Sequence, residues 1–454
     1  MGYRLLTESF SVENQLYFEV NSRSKIIPDE PIADLRPATS QPSTSYERVR
    51  DQNLTSFRRD RRSIYDFRYT AGREGVVGTM PLAKPREGES IGLHVYPAVS
   101  DEGTLGDPET VIWSSISHLC SASVAAGWAA RVHGVHRKTD RLAVARNLKL
   151  YVQQAHEFYN AAQNAKPNTA PLIYYYSFLN LAKALCELNH PRFHRLPECY
   201  RHGISWKPHR NRLVDVPRET ISISGRGVWH VLWESLMHAP CTVPNPTRLS
   251  IKILFSYCPE ISVEILRSLN ARLKLIEIVA PDMLYDGKTS EVWLRLSFFR
   301  ENLKRLRMSV PALRSQIETA RSSYTEVKST ERDLRTLQST TARKLGRAEG
   351  PWRGLQTDIL RLNLFAHLGR ESKLGYYIPV QAGLPLRMPQ LMVSYTILFW
   401  LGSLVRYDPH SVDALKDSEY WTLIDGFMSQ SRLWLLELFE WAFYQAETTL
   451  WTTR

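Results

Sequence analysis

The stretch PLIYYYSFLNLAKALCELN, from Pro171 to Asn189, constrains this chain more than any other. At helical spacing it carries apolar side chains on nearly every side, and a helix that is apolar all round must be enclosed by other elements. Comparably apolar segments occur at Leu391–Val405 and at 433–443. Burying a large side chain contributes about 1.5–3 kcal/mol, so keeping these segments apart would forfeit much of the core. The expectation is that Tyr175, Phe178, Leu179 and Leu185 pack against Ile397, Phe399, Leu404, Leu435 or Phe439. His202 and Arg406 leave the ends of two of these helices and are expected to share one cationic pocket.

Around this centre the helical pattern is broad. Asp140–Ala165 is amphipathic, with Leu142, Ala145, Leu148, Tyr151, Val152, Ala155, Phe158, Tyr159 and Ala162 near helical spacing, and Lys166-Pro167-Asn168 ends it. Helices are also expected at 357–370, 388–406 and 418–449, with a break at Asp408-Pro409. Between these regions the texture changes. The runs LKLIEIVA and EVWLRLSFF flank PDMLYDGKTS and read as a β-hairpin with a long loop. Residues 301–347 are basic, with Leu313, Ile317, Ala320, Tyr324, Val327 and Leu334 near a heptad seam, which suits a solvated helical hairpin or a coiled-coil arm. Residues 1–26 alternate weakly, as in a strand or hairpin. Residues 27–62 form a basic linker rich in Pro, Ser, Thr, Arg and Asp, and 63–112 form an irregular β-containing segment. The predicted fold class is therefore mainly α: a helical-bundle C-terminal domain over 113–454, with a strand-containing insertion at about 205–345 and a small β-containing N-terminal segment.

The net charge of +12 favours an anionic partner such as RNA or DNA. The five cysteines have no C-x-x-C spacing, which excludes a disulfide framework and a zinc site and suits a reducing cytoplasm. The N-terminus lacks the apolar core of a signal peptide. Leu391–Val405 is shorter than the roughly 20 residues that span a bilayer, so no membrane partner is expected.

The blocks QQAHEFYNAA (153–162), PLIYYYSFLNLAKALCEL (171–188) followed by Arg201-His202-Gly203, and MVSYTILFWLGSLVRYDP (392–409) together resemble the YaaC-like family over about 113–454. The second block also resembles the tyrosine-rich helix and His-Gly loop of HEPN-type domains. That resemblance implies a four-helix bundle and RNA cleavage by an Arg and a His separated by four to six intervening residues. Arg131/His136, Arg195/His202 and Arg361/His367 have this spacing. An Arg-rich chain with 13 histidines produces such pairs by chance, so Arg195, His202, Arg361 and His367 stand only as catalytic candidates. Pro281-Asp282 with Glu326-x-Lys328 superficially matches a PD-(D/E)xK nuclease, whose acidic pair would hold Mg²⁺.

Binding chemistry is better marked. Arg192, Arg195, Arg201, Lys207, Arg210 and Arg212, with Trp206, lie in the densest cationic stretch of the chain, 190–218. Guanidinium forks match phosphate geometry and an indole offers a stacking face. Arg58, Arg59, Arg61 and Arg62, followed by Tyr65, Phe67 and Tyr69, form a second basic-aromatic arm. No phosphate-binding loop, dinucleotide fingerprint, nucleophile elbow or H-E-x-x-H motif occurs, and no metal or other cofactor is expected. These features favour a non-enzymatic, nucleic-acid- or partner-binding subunit of a bacterial complex, with the HEPN-like block pointing toward anti-phage defence. A metal-independent ribonuclease and a purely structural assembly protein are the alternatives.

Overall fold

The computed structural model describes residues 84–90, 107–131, 135–208, 212–318, 323–329, 331–340, 343–344, 365–368, 374–381 and 384–444. The expected N-terminal hairpin at 1–26 and the basic linker at 27–62 lie outside these residues.

Among the described residues the helices are α1 (Pro108–His118), α2 (Ala122–Arg131), α3 (Lys138–Gln163), α4 (Ala170–Asn189), α5 (Val228–Met237), α6 (Ile251–Phe255), α7 (Ser262–Leu269), α8 (Arg300–Arg305), α9 (Val310–Ile317), α10 (Gln390–Tyr407), α11 (Pro409–Lys416) and α12 (Trp421–Tyr444). Helix α1 opens earlier than the sequence suggested, because Asp107 caps it, accepting from the Thr110 amide at 3.1 Å, with Pro108 in its first turn. The Asp408 side chain likewise caps α11, and the Asp408-Pro409 break separates α10 from α11 as expected.

Helix α4 occupies the centre, in contact with α3, α5, α10 and α12. Its all-round apolar surface is thereby covered, and Phe178, Leu181, Ala182, Ala184 and Leu188 are wholly enclosed. The predicted packing is present. Tyr175 meets Phe399 edge-on with ring centroids 5.4 Å apart, and Phe178 stacks on Phe439 at 5.8 Å. Polar pegs fix the helices to one another: Ser177 donates to the Ala155 carbonyl at 2.7 Å, and the Trp229 indole to Thr396 Oγ1 at 2.9 Å. Both bonds are buried, where an unmet donor would be costly.

Apart from β1 (Glu89–Ser90), the described strands fall between α4 and α10 in the chain. Strands β2 (Ile204–Ser205), β3 (Thr220–Ile223) and β4 (Thr247–Ser250) form an antiparallel sheet in the order 2-3-4. Strand β5 (Leu275–Ile278) belongs to a different sheet from β6 (Ala280–Asp286) and β7 (Glu291–Phe299). The LKLIEIVA run is thus not the hairpin partner of EVWLRLSFF. The segment expected as a loop, Pro281–Asp286, is itself a strand: it pairs with β7 around a turn in which Asp286 accepts from the Lys288 amide and the Thr289 hydroxyl. Local alternation could not reveal this, since Pro281 and the acidic residues break the apolar pattern.

The coiled-coil expectation for 301–347 is also overturned. That region holds α8, α9, β8 (Tyr324–Val327), β9 (Leu334–Ser339) and β10 (Arg343–Lys344), and the large sheet runs β1-β6-β7-β9-β8 with β10 on β7. The seam residues Leu313, Ile317, Tyr324 and Val327 are buried in the chain's own core rather than offered to a partner helix. A helix over 357–370 does not form at its C-terminal end: Phe365–Leu368 is strand β11, paired with β12 (Leu374–Pro379), which pairs in turn with β5. Phe365 is fully enclosed, and sheet pairing outweighs the weak helical periodicity there.

Candidate functional site

The site begins at the C-terminal end of α4. Glu187, fully buried, accepts from the backbone amides of Arg192 at 3.1 Å and His194 at 2.8 Å, and from Asn147 Nδ2 at 3.1 Å. His194 Nδ1 lies 3.0 Å from the same carboxylate. A carboxylate is affordable in this core because its oxygens are met by several donors. The bonds fold the 190–195 turn back over α4, with Arg192 in the left-handed region at φ 75°.

The chain then passes through Arg201-His202-Gly203. The carbonyls of Arg201 and His202 accept from the first amides of α5, Val228 N at 2.8 Å and Trp229 N at 3.0 Å. These donors have no partner inside their own helix, so the helix start is a natural anchor. Gly203 has φ +79°, and a Cβ there would lie 2.8 Å from His230 Nδ1 and 3.1 Å from Gly227 Cα, so only glycine fits. The dipeptide noticed in the sequence thus has a structural cause: it aims the His202 ring back at α4.

There, His202 Nδ1 and the Tyr175 hydroxyl lie 2.6 Å apart, and the Phe399 ring is 5.8 Å away. Burial pushes the His202 imidazole below its ordinary value, and the nearby Lys183 and Arg406 charges push it further. His202 is therefore neutral near pH 7. Arg406, in the last turn of α10, donates to the Tyr176 hydroxyl at 3.2 Å and stands 5.1 Å from the Tyr407 ring centroid. A cation suits a helix C-terminus. The expected meeting of His202 with Arg406 is therefore found, and the cation beside His202 is Arg406 rather than Arg195.

Between α4, α10 and the 202–208 segment lies an open cavity of about 480 Å³, walled by Tyr175, Tyr176, His202, Trp206, Phe399 and Arg406. Its described lining holds no carboxylate. Trp206 was expected to offer a stacking face. It is buried instead, with its indole N–H on Glu219 at 2.8 Å, and it serves as a wall. Tyr176 and Tyr407 are further functional candidates that sequence reasoning did not single out. Tyr176 lies 230 positions from Arg406, which left no local signal, whereas Tyr407 is the next residue in the chain.

The remaining candidates scatter. Arg192 pairs with Asp140 at 2.8 Å, and Arg195 Nε leans on the His194 ring at 3.2 Å. Arg201 and Lys207 are exposed, and Arg212 stands 3.6 Å from Glu219. His136 is exposed. His367 is on β11, and Arg361, Arg210, Arg58, Arg59, Arg61 and Arg62 lie outside the described residues. The nuclease-like acidic pair is separated. Asp282 pairs with Arg295, which pairs with Gln338, which pairs with Thr325 beside Glu326. That is three strand spacings, about 14 Å, too far to share one ion. Glu326 is instead paired with Arg335 at 3.3 Å. Among the described residues no group of three or more His, Cys, Asp or Glu side chains is placed to hold a metal ion.

Fold and site together define a mainly helical protein built around one enclosed helix, with an aromatic, cation-bearing cavity where that helix meets the penultimate long helix. The chain belongs to the YaaC-like family: the family model described as YaaC-like Protein matches residues 123–440. Comparison with curated proteins and with solved structures gives no match. No helix among the described residues is long and apolar enough to cross a membrane.

Proposed function

We propose that this chain is a nucleic-acid-binding subunit of a bacterial complex, and that the α4–α10 cavity receives one nucleotide of a single strand. The observation that carries this reading is the convergence of Arg406 and His202, with Lys183 close by, on a cavity with aromatic walls and no carboxylate in its described lining. Arginine supplies the charge and fork for a phosphate, and the tyrosine faces accept any base. Exposed Arg201 and Lys207 flank the same segment and extend the positive surface. A role in anti-phage defence belongs to this proposal.

The test is fluorescence anisotropy with labelled single-stranded RNA and DNA across a salt series. Binding that weakens linearly in log salt, and that Arg406→Ala weakens further, supports the reading. Absence of binding even at low salt overturns it.

One observation favours ribonuclease activity as a second reading. A neutral imidazole held by Tyr175 next to an arginine has the parts to take a proton from a 2′-hydroxyl beside a stabilised phosphate. RNA cleavage in EDTA that His202→Ala abolishes would establish it, and an RNA left intact by the wild-type protein would exclude it under those conditions.

A further inference from the structure

A second cavity lies against the opposite faces of α4 and α10. It takes Pro171 and Tyr174 from α4 and Leu401, Leu404 and Val405 from α10, whereas the first cavity takes Tyr175, Tyr176, Gly402, Ser403 and Arg406. At 100° per residue these sets point away from each other on both helices. The end of α3, Val412 and Leu415 of α11 and the first half of α12 complete the walls, with Val412, Leu415, Trp421 and Ile424 making its body apolar. Its volume is about 200 Å³. An aliphatic cavity of about 150 Å³ is known to take up benzene, so this one has room for a ring with a short substituent or a fused bicycle.

One end is polar and built. Arg432 Nη1 donates to the Tyr174 hydroxyl at 3.0 Å, and Nη2 lies 3.5 Å from Glu109, whose carboxylate is also bonded by Gln163. Arg432 Nε is buried and has no partner among the described residues. The rest of the guanidinium is half-buried against the cavity, and its Nη hydrogens not taken by Tyr174 and Glu109 are donors that a ligand oxygen or ring nitrogen would meet. The charge around it is already balanced. Glu109 offsets Arg432, and Asp425 adds a further negative charge to the lining. An anion entering here would face the Asp425 carboxylate and an arginine whose charge Glu109 already offsets.

We infer that this cavity is a binding site for a small, uncharged, mainly aromatic molecule that carries one hydrogen-bond acceptor. The apolar walls supply the burial, the Arg432 guanidinium reads the acceptor, and Asp425, with Arg432 already offset by Glu109, disfavours anions. The preference is opposite to that of the His202 cavity, and no lining residue is common to the two.

The full-length chain is titrated calorimetrically with three probes: indole-3-carboxamide, which is uncharged and has a carbonyl acceptor; indole, which has none; and indole-3-acetate, an anion. The carboxamide is expected to bind at least about tenfold more tightly than either of the others, since a site with a waiting donor discriminates against analogues that cannot meet it. Leu404→Trp, which fills the cavity, is expected to remove carboxamide binding. Because Leu404 is almost fully enclosed, Val412→Phe on short α11 is the second filling variant, with far-UV circular dichroism reporting the fold of each. The inference is overturned if the carboxamide fails to bind at millimolar concentration. It is equally overturned if indole or the acetate binds as tightly, or if a folded, filled variant binds as the wild type does.

Discussion

The Tyr175 hydroxyl and His202 Nδ1 are 2.6 Å apart, joining the second turn of the enclosed helix to the loop that follows it. The Tyr175 ring simultaneously packs edge-on against Phe399 of α10 at 5.4 Å. One side chain therefore carries both the core contact and the positioning of the histidine. Tyr175→Phe keeps the ring and removes the hydroxyl. It is expected to cost about 1–3 kcal/mol in urea denaturation, as a partly buried imidazole nitrogen loses its partner. Affinity for single-stranded RNA should change less than in Arg406→Ala.

Arg406 is the residue on which nucleotide binding depends in the proposed reading. A hydrogen bond to a charged group contributes about 1.5–3 kcal/mol, equivalent to roughly tenfold to hundredfold in affinity. Arg406→Ala should weaken RNA binding by that factor and make the salt dependence shallower by about one phosphate contact. Because Arg406 is exposed, the melting temperature should barely move. Anisotropy and a thermal melt on the same preparation check both parts.

Gly402 stands where α10 crosses α4. A Cβ there would be 3.2 Å from Tyr175 Cβ and 3.5 Å from Leu172 Cα. Gly402→Leu must push the helices apart, and overpacking of this kind costs about 1–3 kcal/mol. The measurement is the urea midpoint at unchanged slope. An unchanged midpoint would mean that the crossing is looser than its geometry indicates.

Acidification should destabilise the fold. Burial is the leading cause that holds His156, His190, His202 and His230 below the ordinary imidazole value of 6.5. The folded state then binds fewer protons than the unfolded state once pH drops below that value. Stability is full above about pH 6.5 and is lost as pH falls through the lowered values. Glu260 acts in the opposite sense, since burial raises its carboxyl above the ordinary 4.5. Four imidazoles against one carboxyl leave a net loss, visible as a falling melting temperature from pH 7 toward pH 5.

The Glu187 anchor can be tested by proteolysis. Glu187→Gln puts an amide donor where the Arg192 and His194 amides already donate, a loss of about 1–3 kcal/mol. Trypsin should then cut at exposed Arg195 or Arg201 well before the wild type is cut, with the cleaved bond identified by mass spectrometry.

Several elements were legible because their signal is local or follows from a single necessity. Helix α4 is apolar on every side, so it had to be enclosed. The few other segments of similar character had to enclose it, and α10 and α12 do. Asp408-Pro409 stops a helix wherever it occurs. From these the meeting of His202 with Arg406 could be read, since both lie just beyond or at the ends of packed helices. The strands were less legible. Pro281–Asp286 becomes a strand because β7 offers it a full ladder of partners, and β11 forms against β12 despite a helical pattern. The seam at 313–334 has heptad spacing, yet the sheet and core consume it.

The amino-acid sequence by itself determined the class of the fold, the central helix and the identity of its neighbours, because burial of apolar area depends on which side chains a segment carries and hardly at all on where the rest of the chain lies. Tertiary structure alone decided that Trp206 is a buried wall, that Asp282 and Glu326 stand strands apart, and that a second cavity opens beside Arg432. Those are distances between residues remote in the chain. They are set by sheet register, helix crossing and the satisfaction of buried donors, and no single segment encodes them.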